Sequence, residues 1–414
     1  EGTVHDTPEQ ALLREQVARF LAREVEPQAD AWERDGRVPR DVLRRMGEAG
    51  LLGIAFESAY GGGDADALTN LVFAESLSAC RSAGFVITVL VHTDMAGPHL
   101  HHAGTPAQKA RWMPGMTAGR TITAVAITEP GAGSDVAGLT TRARRDGDGP
   151  DAGWVLDGSK IFITNGVLAD LYFVAARTGP GRHDISMFAV EKGTPGLRVG
   201  RALDKTGWRA SDTAELFFEH CRIPADHLLG EEHRGFRAVM KNFQTERIAL
   251  AAMAVATCRQ AIDLTLEHVK ARRAFGDTLW AKQAVRQKLA MFDARTRAAR
   301  QYLYHCAWRV VQRHDHDAVV QDVSLLKALT GELVNEVTYG CQQLHGGMGF
   351  MTDTPIERLW RDARVLAIGG GATEVMLDEA AKRYNAPPEA TFGRLPPGGT
   401  ASGPAKPVPR RPPA

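Results

Sequence analysis

Cysteine is scarce in this 414-residue chain, and the five present (Cys80, Cys221, Cys258, Cys306, Cys341) include no C-x-x-C pair. An odd, scattered set argues against a disulfide framework or a structural zinc site and points to reduced, buried thiols in a cytoplasmic protein. No run of 18 apolar residues occurs, so no membrane span is expected. The opening Glu1-Gly2-Thr3-Val4-His5-Asp6 has neither a basic nor an apolar stretch, so no signal peptide is expected. Charge of one sign is lacking too: 50 Lys plus Arg against 49 Asp plus Glu leave a net +1, no footprint for nucleic acid. Neither a G-x-S-x-G nor a P-loop pattern is present. His101-His102 and His314-Asp315-His316 have no partners at metal-ligand spacing and read as solvated surface, so no metal is expected.

What is there is ordinary globular composition, 44% hydrophobic and 24% charged, at a length that calls for two or three packed domains. Thr7-Pro8-Glu9-Gln10 is a helix start, followed by an apolar face at Leu13, Val17, Phe20 and Leu21 and a stop at Pro27. Further helices are expected over Asp41 to Ala49, Leu68 to Leu90 and Pro106 to Met113, the last stopped by Pro114 and Gly115. From Thr121 the period shortens. Strands are expected over Thr121 to Thr128, Lys160 to Thr164, Leu171 to Ala176, Ile185 to Val190 and Ala214 to Phe218, with an Asp157-Gly158 turn. Long helices return at Phe236 to Arg272, Trp280 to Gln312 and Val319 to Gln342. The expected order is an N-terminal helical domain (1–120), a central antiparallel β-domain (121–232), a C-terminal four-helix bundle (233–386) and a disordered tail (387–414) with nine prolines.

Ala126-Ile127-Thr128-Glu129-Pro130-Gly131-Ala132-Gly133-Ser134-Asp135 closes a strand and opens a loop rich in glycine and hydroxyls, suited to bringing N–H and O–H groups to a ligand. It is not a Rossmann fingerprint, since Val136 stands where the third glycine is required. About 30 residues on comes Phe162-Ile163-Thr164-Asn165-Gly166. Arg272-Arg273-Ala274-Phe275-Gly276 closes the long helix, with Gln283 beyond it. Gln343-Leu344-His345-Gly346-Gly347-Met348-Gly349-Phe350 and Gly369-Gly370-Gly371-Ala372-Thr373-Glu374 follow.

In this order and spacing the motifs resemble those of the acyl-CoA dehydrogenase family over roughly residues 10 to 385. The resemblance implies FAD as cofactor, desaturation of an acyl thioester between its α- and β-carbons, a homotetramer (or homodimer), and an electron-transferring flavoprotein as electron acceptor. It implies that Thr164 bonds the flavin near N5, Thr128 its pyrimidine edge, and Ser134 the thioester arm. Phe162, where many relatives have Trp, would border the isoalloxazine. Arg272, Gln343 and Gly347 would bind the pyrophosphate and adenosine side, the last two from a neighbouring protomer, and Phe275, Gln283 and Gly346 would also bind the cofactor. Ala274 replaces a polar residue of the relatives.

One departure matters. Many relatives carry the glutamate base two residues before the threonine of a Glu-Gly-Thr string, and here alignment on Ile368 and Glu374 puts Gly370 there. A second branch of the family, acting on branched or long-chain substrates, has its glutamate on the long helix, where Gln244-Thr245-Glu246-Arg247 stands. Glu246 is therefore expected as base, with Arg247 at the active site, and Gly370 contributing its N–H to the thioester oxygen. Gly369 replaces an aromatic of straight-chain relatives, which implies a branched or bulky acyl group. CoA is the expected carrier, with a carrier-protein-tethered acyl group as alternative. An oxidase or monooxygenase on this scaffold, or a non-catalytic binding flavoprotein, are the other readings.

Overall fold

In the computed structural model, residues 6–149, 152–312 and 316–385 are described. The N-terminal pentapeptide, His314-Asp315 and the proline-rich segment lie outside the described residues.

Helix formation begins at Thr7, whose hydroxyl accepts the Gln10 N–H at 3.3 Å while Gln10 Oε1 accepts the Thr7 N–H at 3.0 Å. This capping box satisfies two otherwise orphaned groups of α1 (Pro8–Phe20). Pro27 does not end the run. The chain continues through a π turn (Leu21–Val25) and a 3₁₀ turn (Glu26–Gln28) into α2 (Ala29–Asp35), because Pro27 enters a new turn near its start, where its missing N–H has no bond to make. After α3 (Arg40–Glu48), the stretch expected as one helix is two, α4 (Ala67–Leu77) and α5 (Ala83–Leu90). Ser82 starts the second by accepting the Phe85 N–H at 3.3 Å. A π turn (Val91–Ala96) leads into α6 (Gly97–Ala103). Helix α7 (Pro106–Thr117) passes the expected stop, because Pro114 falls in its last turn and forfeits one hydrogen bond there.

The sheet contains β1 (Thr123–Ala126), β2 (Arg142–Asp146), β3 (Gly153–Thr164), β4 (Leu171–Arg177), β5 (Ile185–Glu191), β6 (Leu197–Ala202), β7 (Thr213–Ile223) and β8 (Leu228–Leu229). Its order is β6-β7-β3-β2-β4-β5-β8, with β1 beside β4. The expectation of a purely antiparallel domain is corrected: β1 pairs β4 in parallel, Thr123 opposite Leu171, and β2 meets β4 in parallel at Arg142 and Arg177. The long connection from β1 to β4, which contains the β2–β3 hairpin, supplies the crossover a parallel pair needs. Asp157-Gly158 is likewise not a turn. Strand β3 runs through it with a bulge, and Gly158 (φ 146°) lies where a Cβ would meet the Thr141 backbone at 2.7 Å. Trp154, Tyr172, Phe173, Phe188 and Phe218 fill the sheet's two faces, each contributing about 1.5–3 kcal/mol by burial.

Helix α8 (Gly235–Ala271) has 37 residues. By length and hydropathy it is apolar enough to cross a membrane, but 78% of its most apolar window is buried inside the protein. Ala249, Ala251, Ala252 and Ala254 let α4, α9 (Gln283–Val311) and α10 (His316–His345) approach closely. Then come α11 (Pro355–Ala363) and α12 (Thr373–Ala381). Arg361 of α11 pairs with Glu33 at 2.6 Å and Glu357 at 2.9 Å, and Asp362 accepts the Trp208 N–H at 2.7 Å. Those bonds tie the C-terminal helices to both other regions. All five cysteines are free and buried.

Candidate active site

Two walls carry the residues singled out above. The first is the sheet edge where β1 ends and β3 bulges. The Ile161 N–H donates to the Thr128 carbonyl at 2.9 Å, joining the two strand motifs directly. At the bulge Phe162 takes φ 60°, a conformation costly for an aromatic residue, and its ring is 64% exposed. Asn165 (φ 61°) ends the strand, donating to the carbonyls of Thr88 at 2.9 Å and Thr123 at 3.3 Å. Beneath the loop, Glu129 accepts from Thr140 N–H at 2.6 Å, Thr141 N–H at 2.9 Å and Lys160 Nζ at 2.8 Å. Lys160 also donates to the Ile127 carbonyl at 3.0 Å. Burial alone would raise the Glu129 carboxyl, but the Lys160 charge and these hydrogen bonds hold it down at about 2. Above this buried pair, the hydroxyls of Thr128, Ser134 and Thr164 have no partner among the described residues, and no atom lies within 4 Å of where a Cβ on Gly131 or Gly133 would stand.

The second wall is α8 with the loop before α12. Glu246 is half-buried, and burial raises its carboxyl to about 6 against the pull of Arg247 and Lys327. A Cβ on Gly370 would stand 3.1 Å from Glu246 Oε1 and 2.3 Å from Leu250 Cδ1, at φ 67°. A side chain at 370 would therefore have to displace the ends of Leu250 and Glu246 and adopt a strained φ, so glycine is favoured there. Arg247 Nε reaches the Gly370 carbonyl at 3.4 Å, and its guanidinium lies over the Phe243 ring. The Gly370 N–H has no partner among the described residues, whereas that of Gly369 is taken by Val365 O at 2.8 Å. A side chain on Gly369 would meet only Val365, at 3.6 Å, so packing does not demand glycine there.

Arg272, Phe275, Gln283, Gln343, Gly346 and Gly347 are all exposed and lie elsewhere. Arg272 follows Glu246 by 26 positions on α8, about 39 Å along the axis. The stack of His268 on His345, ring centroids 4.2 Å apart, brings the 343–350 segment to that same far end. Phe275 (94% exposed) sits at the tip of a small hairpin, β9 (Arg273–Ala274) with β10 (Asp277–Thr278), and Phe350 is 78% exposed nearby in sequence to Gly347. Arg272 thus belongs spatially with Gln343 and Gly347 rather than with the sheet-edge group.

Sequence reasoning missed Lys327, whose Nζ is buried and donates to the carbonyls of Leu366 at 2.8 Å and Gly371 at 2.7 Å. The signal was a cation inside the apolar stripe Val320, Val323, Leu326, Thr330, Val334 of α10. It also missed a cavity of about 390 Å³ between α4, α6 and α8, lined by Leu71, Ala74, Asp94, Thr245, Ile248 and Ala249 among others. His101, expected on solvated surface, is half-buried on this cavity beside Glu57 at 3.3 Å, because α6 packs its inner face there; His102 is exposed.

Residues 7–120, 124–221 and 233–385 match the N-terminal, middle and C-terminal domains of acyl-CoA dehydrogenases. The chain belongs to the acyl-CoA dehydrogenase family, and it is an oxidoreductase. It is 41% identical to the mitochondrial long-chain specific acyl-CoA dehydrogenase of Mus musculus, over 91% of this chain and 86% of that one. It is 33% identical to the mitochondrial isovaleryl-CoA dehydrogenase of Pongo abelii, over 91% and 89%. The crystal structure of a putative acyl-CoA dehydrogenase from Mycobacterium smegmatis superposes with a TM-score of 0.88 at 39% identity, covering 92% of this chain and 99% of that one. An FAD complex of PigA has the same fold, TM-score 0.87 at 24% identity, over 92% and 99%. FAD is the cofactor, and the free hydroxyls, open glycine loop and bare Phe162 ring of the sheet edge fit it.

Proposed function

We propose that the chain removes two hydrogens from the α- and β-carbons of an acyl thioester, with Glu246 as the base. The observation that carries this reading is steric and reciprocal: Glu246 Oε1 and Leu250 Cδ1 occupy the space that a side chain at Gly370 would need, so α8 brings a carboxylate to the place that position 370 leaves bare. A carboxyl raised to about 6 is mostly ionised at neutral pH yet basic enough to take a weakly acidic α-proton. The unpartnered Gly370 N–H supports a hydrogen bond to the thioester oxygen, which gains charge as that proton leaves. Bound FAD supplies the hydride acceptor, N5, for the β-hydrogen. Thr164 and Thr128 would bond its ring, Phe162 would border it, and Ser134 would meet the thioester arm.

Gly369, free to carry a side chain but bare, favours a branched or bulky acyl group beside the base. The cavity beyond Thr245, Ile248 and Ala249 adds room for length. CoA is the proposed carrier and an electron-transferring flavoprotein the electron acceptor. The separation between Glu246 and the Arg272 end of α8 supports an oligomer, a homotetramer in our reading, in which Arg272, Gln343 and Gly347 serve a neighbour's cofactor.

The test is anaerobic mixing of the FAD-loaded protein with straight and branched acyl-CoA thioesters while flavin absorbance is followed. Wild type should bleach fastest with branched or long acyl groups. Glu246→Gln should keep FAD and lose about 10³-fold or more in the bleaching rate. For wild type the rate constant over KM should fall about tenfold per pH unit below about 6, as Glu246 takes up its proton. A strong preference for butyryl-CoA would refute the bulky-substrate reading, and a fully active Glu246→Gln would refute the mechanism.

A further inference from the structure

Lys327 makes no contact expected of a helix-face lysine. It lies on the buried side of α10 and spends its N–H groups on two carbonyls, Leu366 at 2.8 Å and Gly371 at 2.7 Å. Those two carbonyls bracket the loop that carries Gly369 and Gly370. Arg247 holds a third, that of Gly370, at 3.4 Å from the α8 side. The loop turns on two glycines in the left-handed region, Gly370 and Gly371 at φ 67° and 106°, and a Cβ on Gly371 would meet Met376 Cε at 2.6 Å. Two cations therefore pin the loop from opposite helices, and the loop they pin is the one whose Gly370 packs against Glu246, where a Cβ would stand 3.1 Å from Oε1.

We propose, resting on the reading of Glu246 as base, that Lys327 is a positioning residue for the reaction, fixing the 366–371 loop so that Gly370 fits against Glu246 and holding a positive charge behind that loop.

The charge argument needs the full set of neighbours. Arg247, on the same helix, and Lys327, on α10, are the cations whose fields favour the Glu246 carboxylate. Glu379 of α12 and Arg383 beyond it act on Arg247 with opposite signs, and Glu332 of α10 acts on Lys327. Burial depresses the Lys327 ammonium to about 8, so at neutral pH it is still mostly charged. Among the described residues Lys327 donates to no carboxylate, so its field reaches Glu246 without neutralising it in a direct pair.

Two variants separate this role from a purely structural one. Lys327→Gln keeps N–H donors for the two carbonyls but not the charge; Lys327→Arg keeps the charge. Each FAD-loaded full-length variant is mixed anaerobically with the acyl-CoA that bleaches wild type fastest, across pH 5 to 9. Lys327→Gln should retain FAD and show the acidic limb moved up by about one pH unit, hence about tenfold slower reduction on that limb. Lys327→Arg should keep the limb at its wild-type position. The proposal is overturned if the limb stays in place in Lys327→Gln, or moves equally in Lys327→Arg. It is also overturned if Lys327→Gln loses FAD or unfolds, since the charge would then serve the fold. Wild type left unreduced by every thioester would instead remove the reading of Glu246 on which the proposal rests.

Discussion

The two walls of the site are built from the same ingredients, a buried lysine facing a glutamate, and they behave in opposite ways. At the sheet edge Lys160 donates straight to Glu129 at 2.8 Å, the Thr140 and Thr141 amides add to it, and the carboxyl is held down at about 2. On the helical wall Lys327 gives its N–H groups to backbone carbonyls, no donor among the described residues reaches the Glu246 carboxylate, and burial raises that carboxyl to about 6. Both lysines are pulled down to about 8 by burial. What separates a rivet from a base is therefore where the hydrogen bonds go. A carboxylate saturated with donors has nothing left for a proton, and one that is desolvated but unbonded takes it readily.

Breaking the rivet should have the larger effect. Lys160→Met leaves Glu129 charged and unpaired in a nearly inaccessible site and should destabilise the protein by about 3–5 kcal/mol. Because Lys160 also holds the Ile127 carbonyl, one residue before Thr128, FAD should be lost in the same variant. Denaturant unfolding and the flavin-to-protein absorbance ratio measure the two. A variant that keeps full stability and FAD would mean that the sheet edge needs no internal charge pair.

Crowding the base should come next. Gly370→Ala puts a methyl 2.3 Å from Leu250 Cδ1 and 3.1 Å from Glu246 Oε1, at a φ of 67° that alanine tolerates poorly. Leu250 or Glu246 must move, at a cost of roughly 1–3 kcal/mol, and flavin reduction should slow by about ten- to a hundredfold as the base leaves its alignment. Gly369→Ala is the control. Its methyl meets only Val365 at 3.6 Å, so it should spare straight-chain substrates and slow branched ones. Equal loss in both variants would show that the loop tolerates no side chain anywhere, and the selective pairing of Gly370 with Glu246 would fall.

Much of this comparison was legible in the sequence, and the limits are physical. Glycine and hydroxyl punctuation marked the sheet edge because a loop that must approach a ligand has few residue types to choose from. Glu246 was legible only jointly with Gly370, each explaining the other. The turn expected at Asp157-Gly158 failed because a bulge and a turn draw on the same freedom of glycine to adopt positive φ. Lys327 showed only as a cation in an apolar stripe, because nothing in one helix's sequence says that carbonyls 39 and 44 positions later will descend on it. The parallel pairing of β1 and β4 is equally a fact about non-local contacts, as is the distance that throws Arg272 in with Gln343 and Gly347 instead of with Thr128.

The smallest effect gives the sharpest sign. Glu246 is raised from its ordinary 4.5 to about 6, so the native state binds its proton more tightly than the unfolded chain does. That preference contributes stability below pH 4.5 and is lost as pH rises through 6. Glu246→Gln cannot ionise, so above pH 6 it should be more stable than wild type by roughly 1–2 kcal/mol, an advantage that vanishes below pH 4.5. Glu129 has the opposite linkage. Its carboxyl is lowered from 4.5 to about 2, so the ionised form contributes stability above pH 4.5 that is lost as pH falls toward 2. Glu129→Gln should accordingly be less stable than wild type at pH 7, with the deficit shrinking on acidification. Unfolding midpoints of both variants, taken with FAD at pH 3, pH 5 and pH 8, measure the two slopes: Glu246 between pH 5 and 8, Glu129 between pH 5 and 3. A Glu246→Gln protein less stable than wild type at pH 8 would show that the carboxylate is bonded in the native protein after all, and would make it a second rivet.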